Sequence, residues 1–186
     1  MSDRDRDFAA LALRTAIGPM LVLHGHNKVF GAGGLKGTTG WFESLGLRPA
    51  AVHARMAAAT EMGAGTLITL GVANPLPTAA VVGLMATAAA TDHRGKGFFV
   101  FKGGWEYTAV VALAATALAG LGHGRWSVER LLGRKQRSGA AMAFGAVALG
   151  LAGAGVLLAS SYRPSQDETA DETADEVPEA ADADPA

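Results

Sequence analysis

Three ionisable residues of this chain stand inside apolar runs or at their edge, where charge is expensive: Arg14, Lys28 and Glu61. Arg14, His24 and Lys28 lie within or at the end of an apolar run that begins at Phe8, and Glu61 lies near the middle of a second run. Ionisable groups in such positions face a partner or a wet cavity, which makes them candidate site residues. At ~100° per residue, Lys28 falls about 40° and His24 about 80° from Arg14, so the three share one helix face. Glu61 is placed to pair with Arg14 on one side or with Lys28 on the other. Glu106 opens a later helix on the side of Lys28, where a carboxylate suits the helix dipole. Two readings stand side by side: structural ion pairs that lock helices together, and a polar, partly wet pocket shared by these helices.

Other chemistries are poorly served. There is no cysteine, which removes thiol–disulfide relays and thiolate metal sites. His24, His26, His53 and His93 fall at the ends of apolar runs, but none shows ligand spacing of the HExxH kind, so no metal site is expected. The glycine-rich stretch after Phe30 lacks GxxxxGK[ST] and a preceding strand, so it is not a phosphate loop. The basic connectors suit anionic lipid headgroups better than nucleic acid.

The elements that must position these groups are long and greasy. The apolar residues fall in blocks, Phe8–Leu23, Met56–Ala73, Leu76–Thr91, Trp105–Leu121 and Gly139–Ala159. Each block approaches the ~20 residues that cross a hydrocarbon core of ~30 Å. Several lack the charged face a soluble amphipathic helix needs. The expected class is therefore all-α and polytopic: a first helix over 8–30 with Pro19 inside it, a short interfacial helix carrying Trp41, Phe42, Leu45 and Leu47, then helices over 51–73, 76–92, 105–121 and 140–161. Phe98, Phe99 and Phe101 read as an interfacial dip, and Trp105 and Tyr107 as interface anchors. No removable signal peptide is expected, because no small-residue cleavage site follows the first apolar run.

The domain organisation follows: an N-terminal tail over 1–7, a membrane domain over 8–137, an additional transmembrane helix over 138–162, and an acidic tail over 163–186. That tail holds one positive and nine negative charges, and it is expected to be disordered. The remaining 162 residues carry 15 Lys/Arg against 8 Asp/Glu. Positive charge is balanced between the two sides, so the positive-inside rule does not select an orientation. Treating the cluster Arg125–Arg137 as a plain cytoplasmic surface favours the N-terminus inside and the acidic tail outside.

The pieces "ALRTAIGPMLVLHGHNKVFG", "GTTGWFESLGL", "ATEMGAGTLITLG" and "HRGKGFFVFKGGWEYT" occur in this order. Together the chain resembles the DoxX family of small four-helix membrane proteins over about residues 10–132. The resemblance implies an antiparallel four-helix transmembrane bundle in the cytoplasmic membrane, here with the extra C-terminal helix. Its motif positions are His24, Gly25, Lys28, Gly31, Trp41, Phe42, Glu61, Gly97, Phe98, Gly104, Glu106 and Tyr107, and Tyr107 thereby joins the pocket candidates. The family's name comes from similarity to a thiosulfate:quinone oxidoreductase subunit, and some members look like membrane anchors for a complex with superoxide dismutase and a sulfurtransferase. The implied function is an integral membrane subunit or scaffold of a redox complex, with quinone as the one cofactor in view and room for a homo-oligomer. A small transporter or channel component using the buried Arg, Glu and Lys residues is the alternative.

Overall fold

The structure, a computed structural model, describes residues 2–164. Most of the acidic tail expected to be disordered, from residue 165 onward, lies outside the described residues. The described chain is helical: α1 (Asp3–Phe30), α2 (Gly34–Ser44), α3 (Ala50–Leu70), α4 (Leu76–Ala90), a 3-10 turn (Val100–Lys102), α5 (Glu106–Leu121), α6 (Val128–Leu131) and α7 (Ala140–Ser161). Among the described residues the only strand-like feature is an isolated bridge between Leu47 and Tyr162.

The helix ends have local causes. α1 starts before the expected Phe8 because Ser2 and Asp5 form a capping box: the Asp5 amide donates to the Ser2 hydroxyl at 3.2 Å, and the Ser2 amide donates back at 3.0 Å. The Ser2 hydroxyl and then its amide hold the Asp5 carboxyl below its ordinary range. α2 also begins earlier than expected, despite three glycines, because Thr38 donates to the Lys28 carbonyl at 2.8 Å and Phe42 buries against Leu47, Ala54 and Ala57. α3 stops at Leu70, short of the expected Ala73, with Gly71 left-handed at φ 69° as its cap. The short α6 has no counterpart among the expected helices; the Ser127 hydroxyl caps it by accepting the Arg130 amide at 3.3 Å.

Packing follows chain order only in part. α1 lies against α3, α3 meets α4, α4 meets α5, and α5 returns to α1. These helices share the core built on Ile17, Leu21, Ile68, Val81, Val111 and Leu118. α7 lies across the outside of α4 and α5. Two crossings depend on missing side chains. A Cβ on Gly65 would stand 2.6 Å from the Gly18 carbonyl oxygen, and one on Gly150 would stand 2.6 Å from that of Ala79 and 2.9 Å from the Gly83 amide nitrogen. Small residues let membrane helices approach this closely.

The outer faces of α5 and α7 are apolar: Leu113, Phe144 and Val156 are 69–74% exposed. In water so large an apolar surface would be a liability, whereas a bilayer covers it. By length and composition, α1 and α7 each suffice to cross a membrane; α4 and α5 are apolar but shorter.

Overpacking one glycine crossing is therefore expected to loosen α7. Gly150→Leu should lower stability by about 1–3 kcal/mol. Gly155→Leu, whose Cβ meets nothing within 4 Å, should leave it unchanged or slightly raised. Thermal unfolding of the purified protein in detergent reads both.

Candidate functional site

Between α3 and α7 the structure contains a cavity of about 580 Å³. α4 forms its floor, with lining residues from Leu76 at one end to Thr91 at the other, a rise of about 22 Å. α3 and α7 scarcely touch. They approach near the end of α7, where Leu157 packs on the cluster of Phe42, Leu47, Ala54 and Ala57. One end of the cavity is polar, ringed by His24, Lys28, His53, Glu61, His93 and Tyr107, and the rest is apolar.

The polar end is organised by one ion pair. Lys28 Nζ donates to Glu61 Oε1 at 2.7 Å, with side chains only 15% and 7% exposed. The contact requires α1 and α3 to be close, and Gly25 provides this: a Cβ there would stand 2.7 Å from the Ala58 carbonyl oxygen and 3.0 Å from Glu61 Cβ. Lys28 Nζ also lies 5.9 Å from the centre of the Trp41 ring, within cation–π range. Glu61 Oε2 is buried and has no hydrogen-bond partner among the described residues.

Tyr107 and His24 stack with ring centres 5.9 Å apart, and their polar atoms are 3.5 Å apart. His53 Nε2 faces the Arg48 carbonyl at 3.3 Å, so in the neutral ring Nδ1 becomes an acceptor, and this atom too is buried without a partner among the described residues. His93 Nδ1 faces the Gly103 carbonyl at 2.5 Å. Among the described residues no group of three or more His, Asp or Glu could hold a metal ion.

The structure thus brings His24, Lys28, Glu61 and Tyr107 to one cavity and leaves two expected members out. Glu106 does not line it; its carboxylate turns to the preceding loop and accepts the Val100 amide at 3.0 Å. Arg14 shares a helix face with Lys28 but not a partner, because half the length of α1 separates them. Its guanidinium, 4% exposed, donates to the carbonyls of Ile68 (3.0 Å), Thr69 (2.7 Å), His123 (3.0 Å) and Trp126 (2.7 Å). The first two are carbonyls of the last turn of α3, at its negative end, where that of Ile68 also accepts the Gly71 amide at 3.0 Å, and the others belong to the loop before α6. Glu61 is therefore Lys28's partner, not Arg14's.

Beside Arg14, buried His123 places Nδ1 2.8 Å from the Ser127 hydroxyl and Nε2 3.5 Å from Glu129, which also accepts the Ala73 amide at 2.9 Å. This set ties three chain segments together at the end of the molecule away from the cavity.

The motif residues serve the same architecture. Gly31 ends α1, Trp41 half covers Lys28, and Phe42 is buried beneath the cavity end. Phe98 meets Trp105 edge-on at 5.0 Å; Gly97 is left-handed at φ 71°, and Gly104 lies where a Cβ would strike the backbone of Gly97 and Phe98. Phe98, Phe99 and Phe101 are exposed, as an interfacial segment requires. Sequence reasoning missed His53, Asp92 and His93 as cavity residues. His53 had a signal: it stands two turns before Glu61 on the same helix.

Fold and site together define a membrane-associated helical protein with a polar-headed groove. Residues 9–94 match the DoxX family model, which makes this part of the chain a DoxX domain. The match spans α1 to α4 and ends before α5, so the cavity's α7 wall and Tyr107 lie outside it. No curated protein and no solved structure matches the chain.

Removing one member of the buried pair strands the other. Lys28→Met is expected to cost about 3–5 kcal/mol, and the double variant Lys28→Met/Glu61→Leu to recover much of that loss. Arg14→Met, which removes a buried donor from four carbonyls, should cost about 2–5 kcal/mol with no recovery from Glu61→Leu. Unfolding of each variant in detergent measures these differences.

Proposed function

We propose that the chain is a multi-pass subunit or scaffold of a redox complex in the cell membrane, and that its cavity holds a quinone headgroup beside Lys28 and Glu61. In this reading α1, α3, α4 and α5 form the antiparallel four-helix transmembrane bundle and α7 is an additional crossing helix. The observation that carries the reading is the unpartnered Glu61 Oε2 at the polar end of a half-apolar cavity. A buried polar atom without a partner is uncommon in a native fold and marks a place for an exogenous group. Lys28 Nζ, of whose three donors Glu61 takes one, offers hydrogen bonds to a ring oxygen, and His24 and Tyr107 flank the same space. Electron transfer would need a redox partner, of the superoxide dismutase or sulfurtransferase type by analogy with family members, because no cysteine or nucleotide motif is present to hold another carrier.

The transporter alternative used the buried Arg14, Lys28 and Glu61. Arg14 places four of its five N–H donors on backbone carbonyls and lies outside the Glu61 cavity, which favours the scaffold reading.

Purification in native lipid tests the proposal. A redox enzyme subunit should co-purify, and solvent extraction should release quinone in amounts comparable to the protein. Glu61→Gln, similar in shape but without the charge, should reduce the quinone severalfold while the protein stays folded. Recovery of neither quinone nor a redox protein would sink the idea.

A further inference from the structure

The cavity is longer than a headgroup. Its α3 wall runs from His53 through Met56 to Glu61; beyond Lys28 and Glu61 the cavity continues along α4 to Leu76, against an α7 wall at Leu149 and Gly153. This part is apolar. Leu157 and the Phe42 cluster close the gap between α3 and α7 near the polar end, while Leu76, Met56 and Leu149 are each half or more exposed. The groove therefore opens sideways, toward the hydrocarbon of the bilayer.

The polar end constrains what can lie there. Lys28 is neutralised by Glu61, so the pair attracts no phosphate or carboxylate. The unsatisfied atom, Glu61 Oε2, is an acceptor and calls for a donor.

We infer that the groove takes, from the plane of the bilayer, a neutral amphipath whose hydroxyl donates to Glu61 Oε2 and whose hydrocarbon chain lies along α4 between α3 and α7. A prenyl hydroquinone, the reduced form of the quinone class, has this chemistry; the oxidised ring can accept from Lys28 Nζ but brings no proton to the free carboxylate oxygen. The inference rests on the headgroup reading above and adds the chain path, the α7 wall and the preferred oxidation state. α7 holds its place through the Gly83–Gly150 crossing and through its C-terminal end, where the Arg48 amide donates to the Ser161 carbonyl and the Arg163 amide to the Gly46 carbonyl.

Gly153 gives the means of testing it. It lines the groove and a Cβ there meets nothing within 4 Å, so Gly153→Leu fills the channel without disturbing the fold; Gly155→Leu, equally open but outside the lining, is the control. The full chain in phosphatidylcholine nanodiscs is titrated with a decyl hydroquinone, its oxidised quinone and the chainless hydroquinone, with occupancy followed by tryptophan fluorescence at equal mole fraction in the bilayer. Phospholipid is thus present in excess as a competitor. Gly153→Leu should weaken the decyl hydroquinone about tenfold or more and leave the chainless probe within about twofold. Gly155→Leu should change neither, and the oxidised decyl probe should bind about tenfold more weakly to the wild type. An unaltered decyl hydroquinone affinity in Gly153→Leu, or equal affinity for both oxidation states, overturns this inference while leaving the headgroup site standing. If no probe, chainless or not, binds the wild type above the phospholipid background, the headgroup reading fails as well.

Discussion

A carboxylate and an ammonium can share a mostly apolar interior only if they meet, and here the meeting of Lys28 with Glu61 at 2.7 Å sets the terms for much else. Neither side chain has much slack, so α1 and α3 must run close together at that level. Gly25 faces the Ala58 carbonyl and the base of Glu61, and Gly18 and Gly65 hold the crossing at the same spacing further along. Each is a site where a single methyl group would push the helices apart and pull the charges with them. Some of the small residues that dilute the hydropathy of this chain thus stand where backbone must touch backbone.

The two ends of the molecule use charge differently. At the cavity end a cation meets an anion, and the anion retains one free oxygen. At the other end Arg14 meets no acid; it spreads its charge over four carbonyl dipoles, two of them at the C-terminus of α3. The first arrangement leaves a buried acceptor without a partner, and the second places four of the guanidinium's five donors on the main chain. This is the physical ground for assigning a binding role to one and a structural role to the other, although both residues project from the same face of one helix.

Much of the fold was legible because apolar blocks and polar connectors alternate plainly. Helix ends shifted where side chains capped them, at Ser2 for α1 and Gly71 for α3. The four-residue α6 carried no periodicity to read. The pairing of Lys28 with Glu61 was one of two that the sequence allowed, since a helical wheel gives direction around an axis but not height along a neighbour. Glu106 was misplaced for a different reason: a residue at a helix start answers to the loop before it, and the Val100 amide claimed its carboxylate. The α7 wall was beyond reach of local patterns, because it depends on which of several uncharged helices packs on which, and nothing in the sequence sets Gly150 apart from Gly145, Gly153 and Gly155 of the same run.

The Arg14 cluster has a genetic consequence. Its four acceptors are main-chain oxygens, which every amino acid supplies, so Ile68, Thr69, His123 and Trp126 can each be exchanged without deleting a partner. As hydrogen-bond partners these four are interchangeable, whereas the donor itself is not, nor is Gly71, where a Cβ would stand 2.7 Å from the guanidinium carbon. The latch is therefore tolerant of drift on the accepting side and brittle on the donating side. The Lys28–Glu61 contact has no such asymmetry, because both of its halves are written in side chains.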